Sequence, residues 1–269
     1  VDDIFPTAIA QNVTAELDET GVATITPEMV DNGSFDNCSG ITLSLSNTTY
    51  ACFLAGTTQN VSLQVTDASG NSSFASATVT IVDNIAPTVN IQSITRTLDA
   101  SGSVDVIAAD FNSGTTDNCG IDNMSIDLTS FDCSHVGNNT ITFTATDNSG
   151  NVSTGTTTLT IVDDSLPTAI TQDITVQLNA EGNVDITAEM VDNGSSDNCG
   201  SITLSASQTT FTCADLGANP VMLTVTDSSL NTATCMATVT VLDTIAPAIT
   251  CSAMDTFYTS ANLCTATGS

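Results

Sequence analysis

Three stretches of this chain bring together oxygen ligands for a hard cation and sulfur for a cross-link. Asp31-Asn32-Gly33-Ser34-Phe35-Asp36-Asn37-Cys38 returns as Asn112-Ser113-Gly114-Thr115-Thr116-Asp117-Asn118-Cys119, and again as Asp192-Asn193-Gly194-Ser195-Ser196-Asp197-Asn198-Cys199. The three cysteines are 81 and 80 residues apart. A second cysteine follows each of them 14 positions later, at Cys52, Cys133 and Cys213. Two thiols with no histidine and no further cysteine nearby cannot fill a tetrahedral zinc site. The spacing therefore predicts one local disulfide per repeat, Cys38–Cys52, Cys119–Cys133 and Cys199–Cys213, each closing a loop worth about 3 kcal/mol. Cys235 then has no partner in its own repeat. It is either a buried thiol or a bridge to Cys251, and a Cys251–Cys264 bridge is equally open.

The carboxylates group around those cysteines. If the loop between the second and third strands lies at the same pole as the last hairpin and the incoming linker, Asp83, Asn84, Asp117 and Asp147 converge at the first junction. Asp163, Asp164, Asp192, Asp197 and Asp227 converge at the next. The corresponding residues of the first repeat are Asp2, Asp3, Asp31, Asp36 and Asp67, and Asp243 opens the last linker. Several carboxylates at one pole without a base repel one another, and a hard cation such as calcium, which takes only oxygen ligands, relieves that repulsion. The competing reading is that each Asp or Asn caps its own turn. No EF-hand pattern is present.

Composition removes other classes of function. The chain has 269 residues, 30 acidic groups, one arginine (Arg96) and no lysine, for a formal charge of −29. Nucleic acids and anionic lipid surfaces require the cations that are missing. A Lys–Asn isopeptide cross-link is impossible. With no tryptophan and 4% aromatic residues, a stacking platform for sugars is disfavoured. The single histidine, His135, recurs in neither other repeat, so no nucleophile and base are paired and an enzyme is not expected. Nine cysteines, most of them at regular spacing, point to an oxidising, extracellular compartment.

The elements that must hold these groups are strands. Val13, Ala15 and Leu17 precede an Asp18-Glu19-Thr20-Gly21 turn, and Val22, Thr24 and Thr26 follow it. Ile41, Leu43 and Leu45 alternate with polar residues, as do Val61, Leu63 and Val65, then Ala75, Ala77, Val79 and Ile81. The hairpin Asp67-Ala68-Ser69-Gly70-Asn71 recurs as Asp147-Asn148-Ser149-Gly150-Asn151 and Asp227-Ser228-Ser229-Leu230-Asn231, where Leu230 replaces glycine and predicts a looser turn. About seven short strands per repeat indicate an all-β fold of tandem immunoglobulin-like sandwiches. The repeats span 1–83, 84–163 and 164–243, with the start of a truncated fourth at 244–269. Linkers such as Val82-Asp83-Asn84-Ile85-Ala86-Pro87 hold no flexible spacer, which predicts repeats stacked end to end as a rod.

The repeated Asp-Asn-Cys, the Thr-Asp-x-Ser-Gly-Asn hairpin and the Val-Asp-x-x-x-Pro-Thr linker resemble the tandem repeats of giant surface proteins of Bacteroidetes. The gliding-motility adhesins of flavobacteria are an example, and the units are similar to hyalin-type repeats. The segment from Ile249 to Cys264 looks more like the start of a hyalin-type repeat than the three units before it. The resemblance implies export by the type 9 secretion route, display on the outer membrane and O-glycosylation at Ser165 and Thr244. Together these readings describe a calcium-stiffened stalk of a cell-surface adhesin or filament. Its partners are neighbouring repeats of the same chain, with lateral association into a fibre and an unknown surface or glycan ligand beyond them. The alternative is a set of spacer or glycan-binding modules attached to a secreted enzyme.

Overall fold

The computed structural model describes residues 2–38 and 40–249; Cys251, Cys264 and most of the 244–269 segment lie outside them. The chain divides into two compact units, Val1–Ser165 and Leu166–Ser269. The first unit holds two copies of one six-stranded arrangement, and the second unit holds one.

In the first copy the strands are β1 (Val13–Glu16), β2 (Val22–Thr24), β3 (Thr42–Leu45), β4 (Thr49–Ala51), β5 (Thr58–Thr66) and β6 (Ser72–Val82), with a single helical turn α1 (Pro27–Val30). One sheet has the order β1-β6-β5-β3 and the facing layer is the pair β2-β4. β1 runs parallel to β6, while β5 is antiparallel to both β6 and β3. Isolated bridges Thr7↔Phe35 and Ala10↔Asp31 tie the incoming segment to the acidic loop in place of a seventh strand.

The second copy comprises β7 (Ile94–Thr97), β8 (Ser103–Asp105), α2 (Ala108–Phe111), β9 (Ile121–Ile126), β10 (Ser130–Asp132), β11 (Gly137–Asp147) and β12 (Val152–Val162). The third comprises β13 (Ile174–Gln177), β14 (Asn183–Asp185), α3 (Ala188–Val191), β15 (Ile202–Ala206), β16 (Thr210–Thr212), β17 (Gly217–Asp227) and β18 (Thr232–Leu242). Both repeat the same pairing, so the fold is all-β, built of tandem immunoglobulin-like sandwiches.

Alternation explains the core. Val61, Leu63 and Val65 of β5 and Ala77, Val79 and Ile81 of β6 turn inward, while the Thr and Ser between them favour the extended backbone without needing burial. Tyr50 of β4 closes the cluster from the other layer, and Phe131 and Phe211 are buried at the corresponding places. The row in β2 is displaced by one from the expected one. Ala23 and Ile25 are buried and Val22 is exposed, because a strand of period two buries one set only. The three helical turns stop after four residues and bury Val30, Phe111 and Val191, anchoring the acidic loop that follows.

The third hairpin is as tight as the others. Leu230 adopts φ 71°, the left-handed conformation held by Gly70 and Gly150. The bond from its amide to Asp227 O, at 3.3 Å, matches the Gly70-to-Asp67 bond at 3.3 Å. The register of two 11-residue strands imposes the turn on a residue poorly suited to it.

Candidate functional site

The two poles of a sandwich are far apart along the strands, and that distance decides the disulfides. In the first repeat Cys38 ends the acidic loop at the pole where β5 turns into β6. Cys52 starts a 3-10 turn, Cys52–Leu54, near the end of β6: Gly56 donates to Ile81 O at 2.9 Å. The residues between them run the length of the domain, whereas bridged cysteines need Cα atoms within about 7 Å. The expected Cys38–Cys52, Cys119–Cys133 and Cys199–Cys213 bonds are therefore absent. Cys52 is bonded instead to Cys119 of the next repeat, with a sequence separation of 67. Cys38, Cys213 and Cys235 are free thiols, and Cys133 and Cys199 are disulfide-bonded. Disulfides of this kind persist in extracellular, oxidising surroundings.

The joint between the first two repeats is built around that bond. Gly21, in the β1–β2 turn, has φ 76°, and a Cβ there would lie 2.5 Å from Cys52 Sγ and 2.9 Å from the Asn118 carbonyl oxygen. Only glycine permits this approach. Asn118 Nδ2 donates to Asp18 O at 3.0 Å and to Asp83 Oδ1 at 3.3 Å. From the β11–β12 hairpin, Asn148 Nδ2 donates to Cys119 O at 2.9 Å. Cys119 packs against the apolar core of the first repeat.

Beneath this cover, Asp83, Asp117 and Asp147 bring carboxylate oxygens within 4.8 Å of one another. Asp83 and Asp147 are 7% and 1% exposed. Asp147 Oδ1 accepts from the amides of Ser149 and Asn151 at 2.9 and 2.8 Å, and its Oδ2 accepts from Asn151 Nδ2 at 2.8 Å. Asp83 accepts from the Ile85 amide at 3.2 Å and from the Ser149 hydroxyl at 3.1 Å. Asn151 Nδ2 also donates to the main-chain oxygens of Asp83 and Ile85, at 3.0 and 3.2 Å. Asp117 Oδ1 accepts from the Cys119 amide at 2.9 Å, but Asp117 Oδ2 and Asn118 Oδ1 are buried without any partner. Two orphaned oxygens beside three carboxylates form a donor set suited to a hard divalent cation. Arg96 offers no help, since it pairs with Asp110 at 3.0 Å.

The remaining acidic residues divide by role. Asp31 accepts from the Gly33 and Ser34 amides, and Asp192 from those of Gly194 and Ser195, so both cap turns. For both, burial pushes the carboxyl up, but the neighbouring serine hydroxyl and amides outweigh it and hold the carboxyl below its ordinary value. Asn84 is exposed and donates to Glu16 at 3.4 Å. In the first repeat Asp2, Asp36 and Cys38 come together, while Asp67 caps its own hairpin and Asp3 is exposed. In the first unit Asp163 is buried and Asp164 exposed. In the second unit Asp227 accepts from Asn231 at 2.7 Å, and Asp197 accepts from the Cys199 amide at 2.8 Å. Asp243 is exposed and caps Ile245 at 3.0 Å. Ser165 is half-buried, and Thr244 is exposed and bonds to Gln177. Sequence reasoning missed Asn118 and Asn151 as joint residues, although both recur at fixed places in every repeat.

No protein-family model matches the chain, and no curated protein matches it. Among solved structures, the titin I-band fragment I67–I69 is similar at 10% identity, covering 88% of this chain and 98% of that one with a TM-score of 0.39. Mouse cadherin-23 EC22–24 is similar at 14% identity, covering 90% and 100%, with a TM-score of 0.37. Protocadherin gamma B7 extracellular cadherin domains 1–4 are similar at 11% identity, covering 87% and 75%, with a TM-score of 0.35. Among the described residues no helix is long and apolar enough to cross a membrane.

Proposed function

We propose that this chain is a non-enzymatic, tension-bearing part of an extracellular bacterial surface adhesin or filament, and that calcium at the repeat joint stiffens it. The observation that supports this most is the joint itself: a disulfide and three converging carboxylates sit where two consecutive sandwiches meet. A covalent bond between repeats adds nothing to catalysis, but it prevents the sandwiches from parting under load. The carboxylates, left alone, repel across the same joint, and a bound cation turns that repulsion into a clamp. The resemblance to the repeats of Bacteroidetes surface proteins supplies the host, the secretion route and the display on an outer membrane within this reading.

Thermal unfolding of the oxidised chain in excess calcium and in excess chelator tests it. Calcium binding to the folded joint raises the midpoint, by an amount that grows with the logarithm of its concentration, about 2.7 kcal/mol at a hundredfold excess over Kd. Equal midpoints at all calcium concentrations would remove calcium from the reading.

A further inference from the structure

The segment Asp117-Asn118-Cys119 belongs to two sites at once. Its first residue supplies one of the three converging carboxylates, and its last holds the disulfide to Cys52. These two residues are locked to each other, since Asp117 Oδ1 accepts from the Cys119 amide at 2.9 Å. Between them, the Asn118 carbonyl oxygen lies 3.4 Å from Cys52 Sγ, while its Nδ2 donates to Asp83 Oδ1 and its Oδ1 is buried without a partner. Asn148, next in sequence to Asp147, holds the segment as well: its amide donates to Gly120 O at 3.2 Å and its Nδ2 to Cys119 O at 2.9 Å. A displacement of Cys119 therefore reaches all three carboxylates through one or two residues.

The two sites have separate openings. A cleft of 360 Å³ reaches Asp117 and Asn118 beside Glu19 and Thr116. A groove of 500 Å³ reaches Cys52 and Cys119, bordered by Asn148 and by Phe53, which is 83% exposed. The two share no lining residue, so a thiol can attack the bond and a cation can reach the carboxylates without either blocking the other. Opening the bond leaves the contact of this segment with the first repeat to hydrogen bonds and packing, with carboxylate repulsion pushing against it. A cation that binds the opened joint has to order the segment too, and that ordering lowers its affinity.

We infer that the Cys52–Cys119 bond is a redox control on the calcium site: reduction by an external dithiol weakens calcium at Asp83, Asp117 and Asp147, and bound calcium makes the bond harder to reduce. This control rests on the calcium reading of the joint. Linkage requires one factor to describe both effects. In the reducing step the Cys52–Cys119 bond takes up two electrons and two protons and becomes two thiols. The dithiol gives them up, and its two sulfurs close into a disulfide.

The test uses the whole chain, with calcium chloride as the probe and dithiothreitol as the dithiol. Calorimetric titration compares calcium affinity of the oxidised and reduced chains. Alkylation and peptide mapping follow the Cys52–Cys119 bond by itself across dithiothreitol redox buffers, in saturating calcium and in chelator. Reduction is expected to weaken calcium about tenfold. Calcium is then expected to lower the reduction midpoint of that bond by about 30 mV, the same tenfold factor. Asp117→Asn, which keeps an acceptor for the Cys119 amide, is expected to retain the bond and lose the calcium-dependent shift. The double variant Cys52→Ser/Cys119→Ser is expected to bind calcium as weakly as the reduced chain whether or not dithiothreitol is present, which separates this bond from the other cysteines. Equal calcium affinity in the oxidised and reduced chains would overturn the inference and leave the clamp standing. No calcium bound by either would overturn both. A shift that persists in Asp117→Asn, or a reduced chain that loses its β-sheet circular dichroism, would also overturn the inference, because the coupling would not then pass through a folded triad.

Discussion

The incoming poles of the first and second repeats share nearly every residue that matters and behave differently. Asp2, Asp36 and Cys38 in one correspond to Asp83, Asp117 and Cys119 in the other. In the second repeat the cysteine is bonded, Asp83 is buried and Asn118 reaches across to Asp18. In the first, Cys38 is exposed and the neighbouring Asp2 carboxylate, which bonds it, pushes its thiol up. The motif alone therefore does not make a site. It makes half of one, and a turn with glycine and cysteine from another sandwich makes the rest.

Removing the bond gives the largest separation between the two poles. A cross-link between residues 67 apart stabilises by about 4 kcal/mol on the loop-entropy estimate. Cys52→Ser or Cys119→Ser is expected to lower the unfolding midpoint of the first unit by roughly 10 °C in calorimetry. Cys38→Ser is expected to stay within about 0.5 kcal/mol of the parent, as exposed substitutions do. Equal effects at Cys38 and Cys119 would mean that the bond contributes little.

Gly21→Ala attacks the same joint through the backbone. Its Cβ meets the Asn118 carbonyl oxygen at 2.9 Å as well as sulfur, and the carbonyl cannot rotate away. Strain plus the forced shift costs about 3 kcal/mol. Gly182→Ala meets only Cys213 Sγ, at 3.0 Å, on an exposed side chain that can turn aside, so about 1 kcal/mol of backbone strain remains. Denaturant midpoints of the two variants measure the difference, and equal losses would remove the special role of the first joint.

Asp117→Asn distinguishes a cation clamp from a turn cap by sign. Asn keeps an oxygen for the Cys119 amide while removing one of three crowded charges. In chelator the variant is expected to be as stable as the parent or more so, because repulsion falls. In saturating calcium it is expected to be about 2 kcal/mol less stable, because a ligand charge is lost. A midpoint that falls equally in both conditions would favour simple capping. Asp36→Asn, at the half-site, is expected to show no such reversal.

Acid acts through the turn caps that the first two repeats share, at the β1–β2 and β7–β8 turns. The Thr20 hydroxyl and the amides of Val22 and Thr20 hold Asp18 below its ordinary 3.8, and the Ser101 hydroxyl and the amides of Ser103 and Ser101 do the same for Asp99. A depressed carboxyl contributes stability above its unfolded value, and that contribution is lost as pH falls through the folded one. Urea midpoints are therefore expected to be flat from neutral pH to about 5 and to fall below about 4. A decline already complete at pH 5 would contradict this.

Alternation in Val61, Leu63 and Val65 was enough to give the sandwich and its core, because each face of a strand is set by local period. Convergence of Asp83, Asp117 and Asp147 was also readable, since it follows from which loops share a pole. The disulfide was not. A spacing of 14 between Cys38 and Cys52 looks local along the sequence, but the chain between them crosses the domain, and only the stacking of two repeats brings Cys52 to Cys119. Asn118 escaped notice for the same reason: its partner, Asp18, lies 100 residues away.

The smallest expected effect lies away from the joint and has the opposite sign. Leu230 is 80% exposed and holds φ 71°, so its side chain contributes little packing to offset the left-handed backbone. That conformation costs about 1–2 kcal/mol for a residue with a Cβ. Glycine removes the cost and gives back part of it, about 0.5–1 kcal/mol, as unfolded-state entropy. Leu230→Gly is expected to stabilise the second unit by about 0.5–1 kcal/mol, seen as a later urea midpoint with unchanged slope. Gly150→Ala, which introduces the same strain where it is absent, is expected to destabilise the first unit by a similar amount. If Leu230→Gly were instead destabilising, the exposed leucine would have to be making a contact that outweighs its backbone strain.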